Sequence, residues 1–328
     1  MNSYIKAQYH YQDISKFSFL ITGGAGFIGS NLATYLLYHG AKKVRVLDNL
    51  ATGNLSNIEP LKANPNFELL EGDICDLETC NKAMEGIDYV SHQAALGSVP
   101  RSIKDPITTN KVNIDGFLNV LEAAKNAKVK RMIYASSSSI YGDSKILPKV
   151  EENIGKPLSP YAITKAVNEL YADTFSKHYA FHTIGLRYFN VFGPLQDPNG
   201  AYAAVIPLFF TAALNNKPAT LNGKGDQTRD FTFIGNVIQA NVKAMLVENL
   251  TQHEACNIAF GERINLQELW VKINDMLGKS IDPVFGPPRA GDVQDSLADI
   301  SKAKRVFGYQ PEYDLNEGLK ESVDFYRV

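Results

Sequence analysis

Hydrophobic residues in the first two-thirds of the chain gather into short, nearly unbroken runs instead of alternating with polar ones. The stretch "FSFLITGGAGFIGSNLATYLLYHGAKKVRVLDN" reads as a buried strand, a glycine-rich turn, a helix and a second buried strand. Runs at "FELLEGDI", "DYVSHQAA", "KRMIYASSS" and "HTIGLRYFNVFG" predict further strands. A run without alternation is what a strand covered on both faces requires. Helical stretches lie between them; in "TTNKVNIDGFLNVLEAAKNA", Val112, Phe117, Leu121 and Ala124 share one apolar stripe. Strands alternating with helices predict an α/β fold built on a doubly wound parallel sheet.

After about Asn190 the texture changes, and "GPLQDPNG", "NNKPATLNGKGDQTRD" and "DPVFGPPRAGDV" are rich in turn formers. The expected division is a sheet domain over 1–189, with a return near 226–248, and a smaller interleaved lobe over 190–225 and 249–328. No repeat or low-complexity tract interrupts this plan.

Composition narrows the function classes. Of the 328 residues 45% are hydrophobic and 21% charged, ordinary for a chain that buries a core. A net charge of −2 offers no electrostatic case for nucleic acid or an anionic membrane surface. No apolar run nears the roughly 18 residues of a membrane helix, and "MNSYIKAQYHYQD" lacks a signal peptide's apolar segment. Cys75, Cys80 and Cys256 are too few and too oddly spaced for a disulfide framework or a zinc site, so no metal is expected. The simplest expectation is a cytoplasmic, reduced protein.

In "LITGGAGFIGSNLA", Gly23, Gly26 and Gly29 stand where a strand hands over to a helix. That context gives the pattern its meaning. The first glycine permits a tight turn, the second lets backbone approach a pyrophosphate at the helix N-terminus, and the third lets helix and strand pack closely. Two residues separate each glycine from the next, a spacing unlike the usual dehydrogenase fingerprint. Asp48 ends the next strand, "VRVLD", where a carboxylate accepts bonds from ribose hydroxyls and repels a phosphate there; NAD is favoured over NADP.

"YASSSSIYGD" ends a buried strand in hydroxyls, at the edge where an open α/β sheet places its ligands. "SPYAITKAVNE" sets Tyr161 and Lys165 four residues apart, on one face of a helix. Together with "TGGAGFIGSNL", "SSSSIYG", "YAITK" and "RYFNVFGP", these make the chain resemble the extended short-chain dehydrogenase/reductase family. The likeness runs from about Phe17 to the C-terminus, where "DISKAKRVFGYQPEYDLNEGLKESVDFY" looks like the family's closing segment. Through "QAALGSVPRS" and "QDPNGAYAAVIP" the chain is most similar to bacterial UDP-N-acetylglucosamine/UDP-N-acetylgalactosamine 4-epimerases of surface-polysaccharide pathways.

The resemblance implies a Rossmann fold, bound NAD and a set of roles. Tyr161 would be the general base and acid on a sugar hydroxyl, and Lys165 would hold the nicotinamide ribose and favour the phenolate. Ionising a tyrosine near neutral pH costs roughly 4 kcal/mol, which a neighbouring ammonium and the positive nicotinamide ring would both reduce. Ser137 takes the family's Ser/Thr position, with Ser138 and Ser139 close enough to share or contest it. The glycine turn with Phe27 and Ile28, then Asp48 and Asn49, Asp73 and Ile74, and Gln93, Ala94, Ala95 and Leu96 would line the cofactor cleft. Tyr188 would meet the nicotinamide and Asn190 the nucleotide-sugar. Ser98, Arg101, Ala204, Val205, Asn222 and Gly223 would flank the substrate, and Arg229 with Arg289 and Asp292 would hold its diphosphate and uridine ribose.

A pyranose C4 hydrogen is not acidic, so inverting C4 needs a transient oxidation to a 4-keto sugar. The family's 4,6-dehydratases add an Asp-Glu pair after the catalytic hydroxyl residue, and its decarboxylases a glutamate; here Ser138 and Ser139 stand there. Ser296, four residues after Asp292, falls beside the sugar's C2 substituent, where enzymes restricted to UDP-glucose and UDP-galactose carry a bulky tyrosine. The expected activity is C4 epimerisation of UDP-N-acetylhexosamines. The alternatives are a 4-epimerase of UDP-hexuronic acids, N-acetylated ones included, a UDP-glucose/UDP-galactose 4-epimerase, a simple dehydrogenase and a non-catalytic NAD-binding protein. A homodimer through helices starting near Thr108 and Tyr161 is implied by the resemblance.

Overall fold

The run "SFLIT" becomes the middle of a sheet because both its faces find apolar cover. The computed structural model describes residues 2–199, 203–287 and 293–327. Its main sheet contains β1 (Ser18–Thr22), β2 (Lys43–Asp48), β3 (Phe67–Glu71), β4 (Tyr89–His92), β5 (Arg131–Ser137), β6 (Thr183–Tyr188) and β7 (Glu254–Ile258). All are parallel, in the order β7-β6-β5-β4-β1-β2-β3. Successive side chains leave a strand on opposite faces, so Phe19 and Ile21 enter one apolar layer and Leu20 the other. Helices α1 (Phe27–Tyr38), α2 (Leu77–Met84), α3 (Gly116–Asn126), α4 (Pro160–Tyr179) and α5 (Ile234–Leu246) supply the cover. Helices α1 and α5 pack together on the first face, and α2, α3 and α4 share the second. Strand order reverses between β1 and β4, opening the crevice at the carboxyl ends where such sheets bind ligands.

Three elements depart from the pattern-based expectation. Strand β7 lies in 254–258, a stretch assigned to the second lobe, yet it pairs with β6 and closes one edge of the sheet. Strand β3 is only half-buried because it forms the other edge. The helix expected over "TTNKVNIDGFLNVLEAAKNA" begins at Pro106 and widens into a π-turn at Lys111–Asp115 before α3. Such a turn re-aims side chains. Asn113 in it bonds both backbone groups of Leu96, at 2.8 and 3.2 Å, and Thr164 of α4 at 3.2 Å.

The remaining chain builds the lobe from the helices Val205–Leu214 and Leu266–Met276 and the parallel pair Thr220–Asn222 with Val284–Gly286. Buried Trp270 meets Phe209 edge-on and donates its indole N–H to the Ile281 carbonyl at 2.6 Å. No helix among the described residues is long and apolar enough to cross a membrane.

Beneath the carboxyl ends of β5 and β6 lies a buried ion pair. Arg187 grips Glu169 of α4 through two bonds of 2.8 and 2.9 Å, and Ser136 donates to the same carboxylate at 2.6 Å. Arg187 also donates to the Tyr141 hydroxyl at 3.0 Å and the Glu151 carbonyl at 2.9 Å. Breaking one partner strands the other charge away from water, so Glu169→Ala should destabilise the protein by about 3–5 kcal/mol. Urea unfolding reads this directly; an unchanged midpoint would contradict it.

Candidate active site

The turn after β1 is shaped for backbone alone. Gly23 sits at φ +68°, and a Cβ there would lie 2.6 Å from the Ala94 nitrogen. At Gly29 a Cβ would lie 2.4 Å from the Gly23 carbonyl oxygen, whereas at Gly26 that oxygen, 3.2 Å away, is the only neighbour within 4 Å. Helix α1 starts at Phe27 with no side chain capping it, so the first-turn amides of Phe27, Ile28 and Gly29 are available to an anion. The open side of this cradle fits a pyrophosphate.

Asp48, at the end of β2, accepts the Ala25 amide at 2.9 Å and the Leu50 amide at 2.8 Å. Each oxygen keeps a lone pair for a ribose hydroxyl. Asn49 donates to Asp73 at 3.1 Å, tying the ends of β2 and β3 together beside buried Ile74. The Gln93–Leu96 segment continues β4 along the crevice, with Ala94 bonded to Thr22 at 3.3 Å and Ala95 half-buried. The Gln93 amide group reaches Ser91, Tyr188 and Asn241 at 2.9–3.2 Å. The Tyr188 hydroxyl is bonded inside the protein by Gln93 at 3.2 Å and by Asn241 at 2.8 Å.

Tyr161, Lys165 and Ser137 come together at the start of α4, which Ser159 caps by accepting the Ala162 amide at 3.2 Å. Ser137 ends β5, where its hydroxyl accepts the Ser139 amide at 3.1 Å and lies near enough to the Tyr161 phenol to hold its pKa partly down. Lys165 is 1% exposed, donates to the Ala135 carbonyl at 2.8 Å, and holds its ammonium 5.9 Å from the Tyr161 ring centre. Burial pulls the ammonium's pKa down to about 8. Burial also pushes the Tyr161 phenol above its ordinary value, and the Ser137 hydrogen bond offsets only part of this. Desolvation is thus the larger of the two influences on the phenol.

Beside this constellation opens a cavity of about 980 Å³. Ser138 and Ser139 line it, as do Ser98, Asn190, Ala204, Val205, Asn222, Arg229 and Ser296. The Ser139 hydroxyl is buried without a partner among the described residues. Asn190 donates to the Asp230 carbonyl at 2.9 Å and approaches the Ser296 hydroxyl at 3.5 Å. Arg229 bonds the carbonyls of Thr228 and Gln294 at 2.8 and 3.2 Å. Arg101 and Gly223, expected at the substrate, are not among the lining residues; the Arg101 amide is bonded to Ser98, and the Gly223 amide to Gly286. Arg289 and Asp292 lie outside the described residues.

Pattern reading missed Asn113, Asn241 and Lys149. Gln93 and Asn241 meet across 148 residues, and nothing local marks such a pair. Lys149 lines the cavity yet reads in sequence as an ordinary loop lysine.

Comparisons with known proteins supply the family. The model of the NAD dependent epimerase/dehydratase family matches residues 19–259. A putative UDP-glucose 4-epimerase of Methanocaldococcus jannaschii is 36% identical, covering 93% of this chain and 97% of its own. The structure of the UDP-N-acetylglucosamine 4-epimerase from Methanobrevibacter ruminantium M1, solved with UDP-N-acetylmuramic acid, is 37% identical with a TM-score of 0.89 over 94% of this chain and 98% of that one. The UDP-glucuronic acid 4-epimerase of Bacillus cereus, solved with UDP-glucuronic acid and NAD, is 33% identical with a TM-score of 0.87 over 94% and 98%. The chain belongs to the NAD dependent epimerase/dehydratase family, and NAD is its cofactor.

Proposed function

We propose that the protein is a UDP-sugar 4-epimerase that interconverts UDP-GlcNAc and UDP-GalNAc. The observation that carries the sugar assignment is Ser296, a small side chain lining the cavity within 3.5 Å of Asn190. A large pocket admits a small C2 substituent, whereas a filled one rejects an acetamido group by clash.

In this reading the C4 hydroxyl lies against Tyr161 and Ser137. The phenol takes the hydroxyl proton on oxidation and returns it after the sugar has turned, while Ser137 holds the same oxygen. NAD, held by the glycine turn and Asp48, would supply the hydride acceptor and donor for C4. Lys165 anchors the cofactor side, and its proximity favours a phenolate that the empty pocket disfavours. Ser138 and Ser139 add no acid or base, consistent with neither water nor carbon dioxide being lost. Relatives named for UDP-glucose and UDP-glucuronic acid make those sugars the competing readings. Incubation with UDP-GlcNAc, UDP-glucose, UDP-glucuronic acid and UDP-GlcNAc uronate, with products resolved by chromatography, separates them.

The assembly we propose is a homodimer. Phe117 and Leu121 are fully buried core, but Ile107 (81% exposed) and, on α4, Leu170 (67% exposed) leave an apolar face uncovered. Ile103 and Ile163 extend it. A second copy of the same face is the cover that a two-fold dimer supplies.

Tyr161→Phe removes the proton-transferring hydroxyl and keeps the ring, so steady-state turnover should fall about 10²–10⁴-fold with NAD still bound. Undiminished turnover would sink the role. Ser296→Tyr should abolish turnover of UDP-GlcNAc and UDP-GalNAc while sparing UDP-glucose or UDP-galactose; equal effects would show that Ser296 does not gate the pocket. Light scattering at micromolar concentration should give twice the chain mass of 36.2 kDa, and a monomer alone would count against the dimer.

A further inference from the structure

Lys149 is 5% exposed and borders the substrate cavity, yet the reaction as described gives it no task. Its backbone is clamped on both sides. The amide donates to Leu297 at 2.7 Å, and the carbonyl accepts from Asp299 and Asn257, each at 2.9 Å. These bonds seat Lys149 next to the segment that carries Ser296.

Its ammonium donates to the Ser144 carbonyl, just beyond the serine turn. No carboxylate among the described residues forms an ion pair with it, although Asp295 lines the same cavity and favours its charged form against burial. An ammonium has three N–H donors. One is used, and a buried donor left without an acceptor is unfavourable. Lys149 therefore presents a cation to the cavity from a position bonded to the segment that carries Ser296.

We propose that Lys149 is a specificity-determining residue whose ammonium donates a hydrogen bond to the acetamido carbonyl oxygen on the sugar's C2. The inference rests on the UDP-N-acetylhexosamine reading. An acetamido carbonyl reaches farther from the ring than a hydroxyl, and it is a neutral acceptor like the Ser144 carbonyl already in place. A C6 carboxylate is the competing acceptor for this ammonium, and the uronate arm of the test separates the two. Ser296 admits the acetamido group by its small size; Lys149 makes its absence unfavourable. A site built to hydrogen-bond a substrate group rejects the analogue that lacks it far more strongly than a pocket selecting by size alone.

The test uses Lys149→Met, which keeps the stem and removes the donors, and Lys149→Gln, which retains one polar end. For each, kcat/KM is measured on UDP-GlcNAc, UDP-glucose and UDP-GlcNAc uronate, and affinities for the same sugars and for UDP by calorimetry. In Lys149→Met the preference for UDP-GlcNAc over UDP-glucose should fall about ten- to a hundredfold, with UDP affinity unchanged and Lys149→Gln intermediate. UDP affinity and the melting temperature establish that each variant is folded; if Lys149→Met is not, the ratio in Lys149→Gln decides. Equal losses on both sugars, no loss, or a loss confined to the uronate would overturn the assignment. A wild-type protein that binds UDP-GlcNAc preferentially without epimerising it would overturn the proposed activity and leave Lys149 standing. A wild type with no N-acetyl preference in binding would overturn the role of Lys149.

Discussion

The charge of Arg187 is the constraint around which the site is arranged. A guanidinium taken out of water must be met by a carboxylate and by acceptors for its remaining donors. Glu169, Tyr141 and the Glu151 carbonyl do this together. Glu169 lies one helical turn beyond Lys165 and Tyr141 follows the serine turn, so satisfying one buried cation sets α4 against the end of β5. Tyr141 passes the constraint on through Asn257, at 2.6 Å, whose amide holds the Lys149 carbonyl. Helix α4 and the cavity wall thus share one polar network.

Around this rigid base the crevice is lined by backbone in sparsely populated conformations. Ser98 has φ +138°, Leu50 +57° and Asn190 +35°. Such positions persist only where surrounding contacts over-determine them. Asn190 is held by the Asp230 carbonyl, Leu50 by the Asp48 carboxylate, and Ser98 caps a short helix by accepting the Arg101 amide. These three positions lie where loops present polar groups to the crevice.

Electrostatics in the bare site runs against the chemistry it would perform. Burial raises the Tyr161 phenol and lowers the Lys165 ammonium, so both groups sit nearer to neutral than in water. A site of this kind favours the phenolate only when further positive charge arrives.

Local chemistry is what the sequence by itself determined. Glycines at a strand–helix junction, an acidic residue closing the next strand, Tyr161 and Lys165 on one helical face, and unbroken apolar runs all act over a few residues. Their meaning survives without knowledge of distant partners. Only the tertiary structure decided the rest. Strand β7 joins the sheet because β6 offers an edge, not because "EACNI" differs from a lobe strand. Ser137, among equivalent serines, faces the phenol because β5 ends there. The inward turn of Tyr188 depends on Asn241, and the aim of Asn113 on a π-turn that apolar periodicity conceals. Lys149 becomes a buried cation only when strands and loops far apart in sequence close over it. Desolvation and long-range hydrogen bonding depend on what is near in space, and a linear pattern carries no record of that.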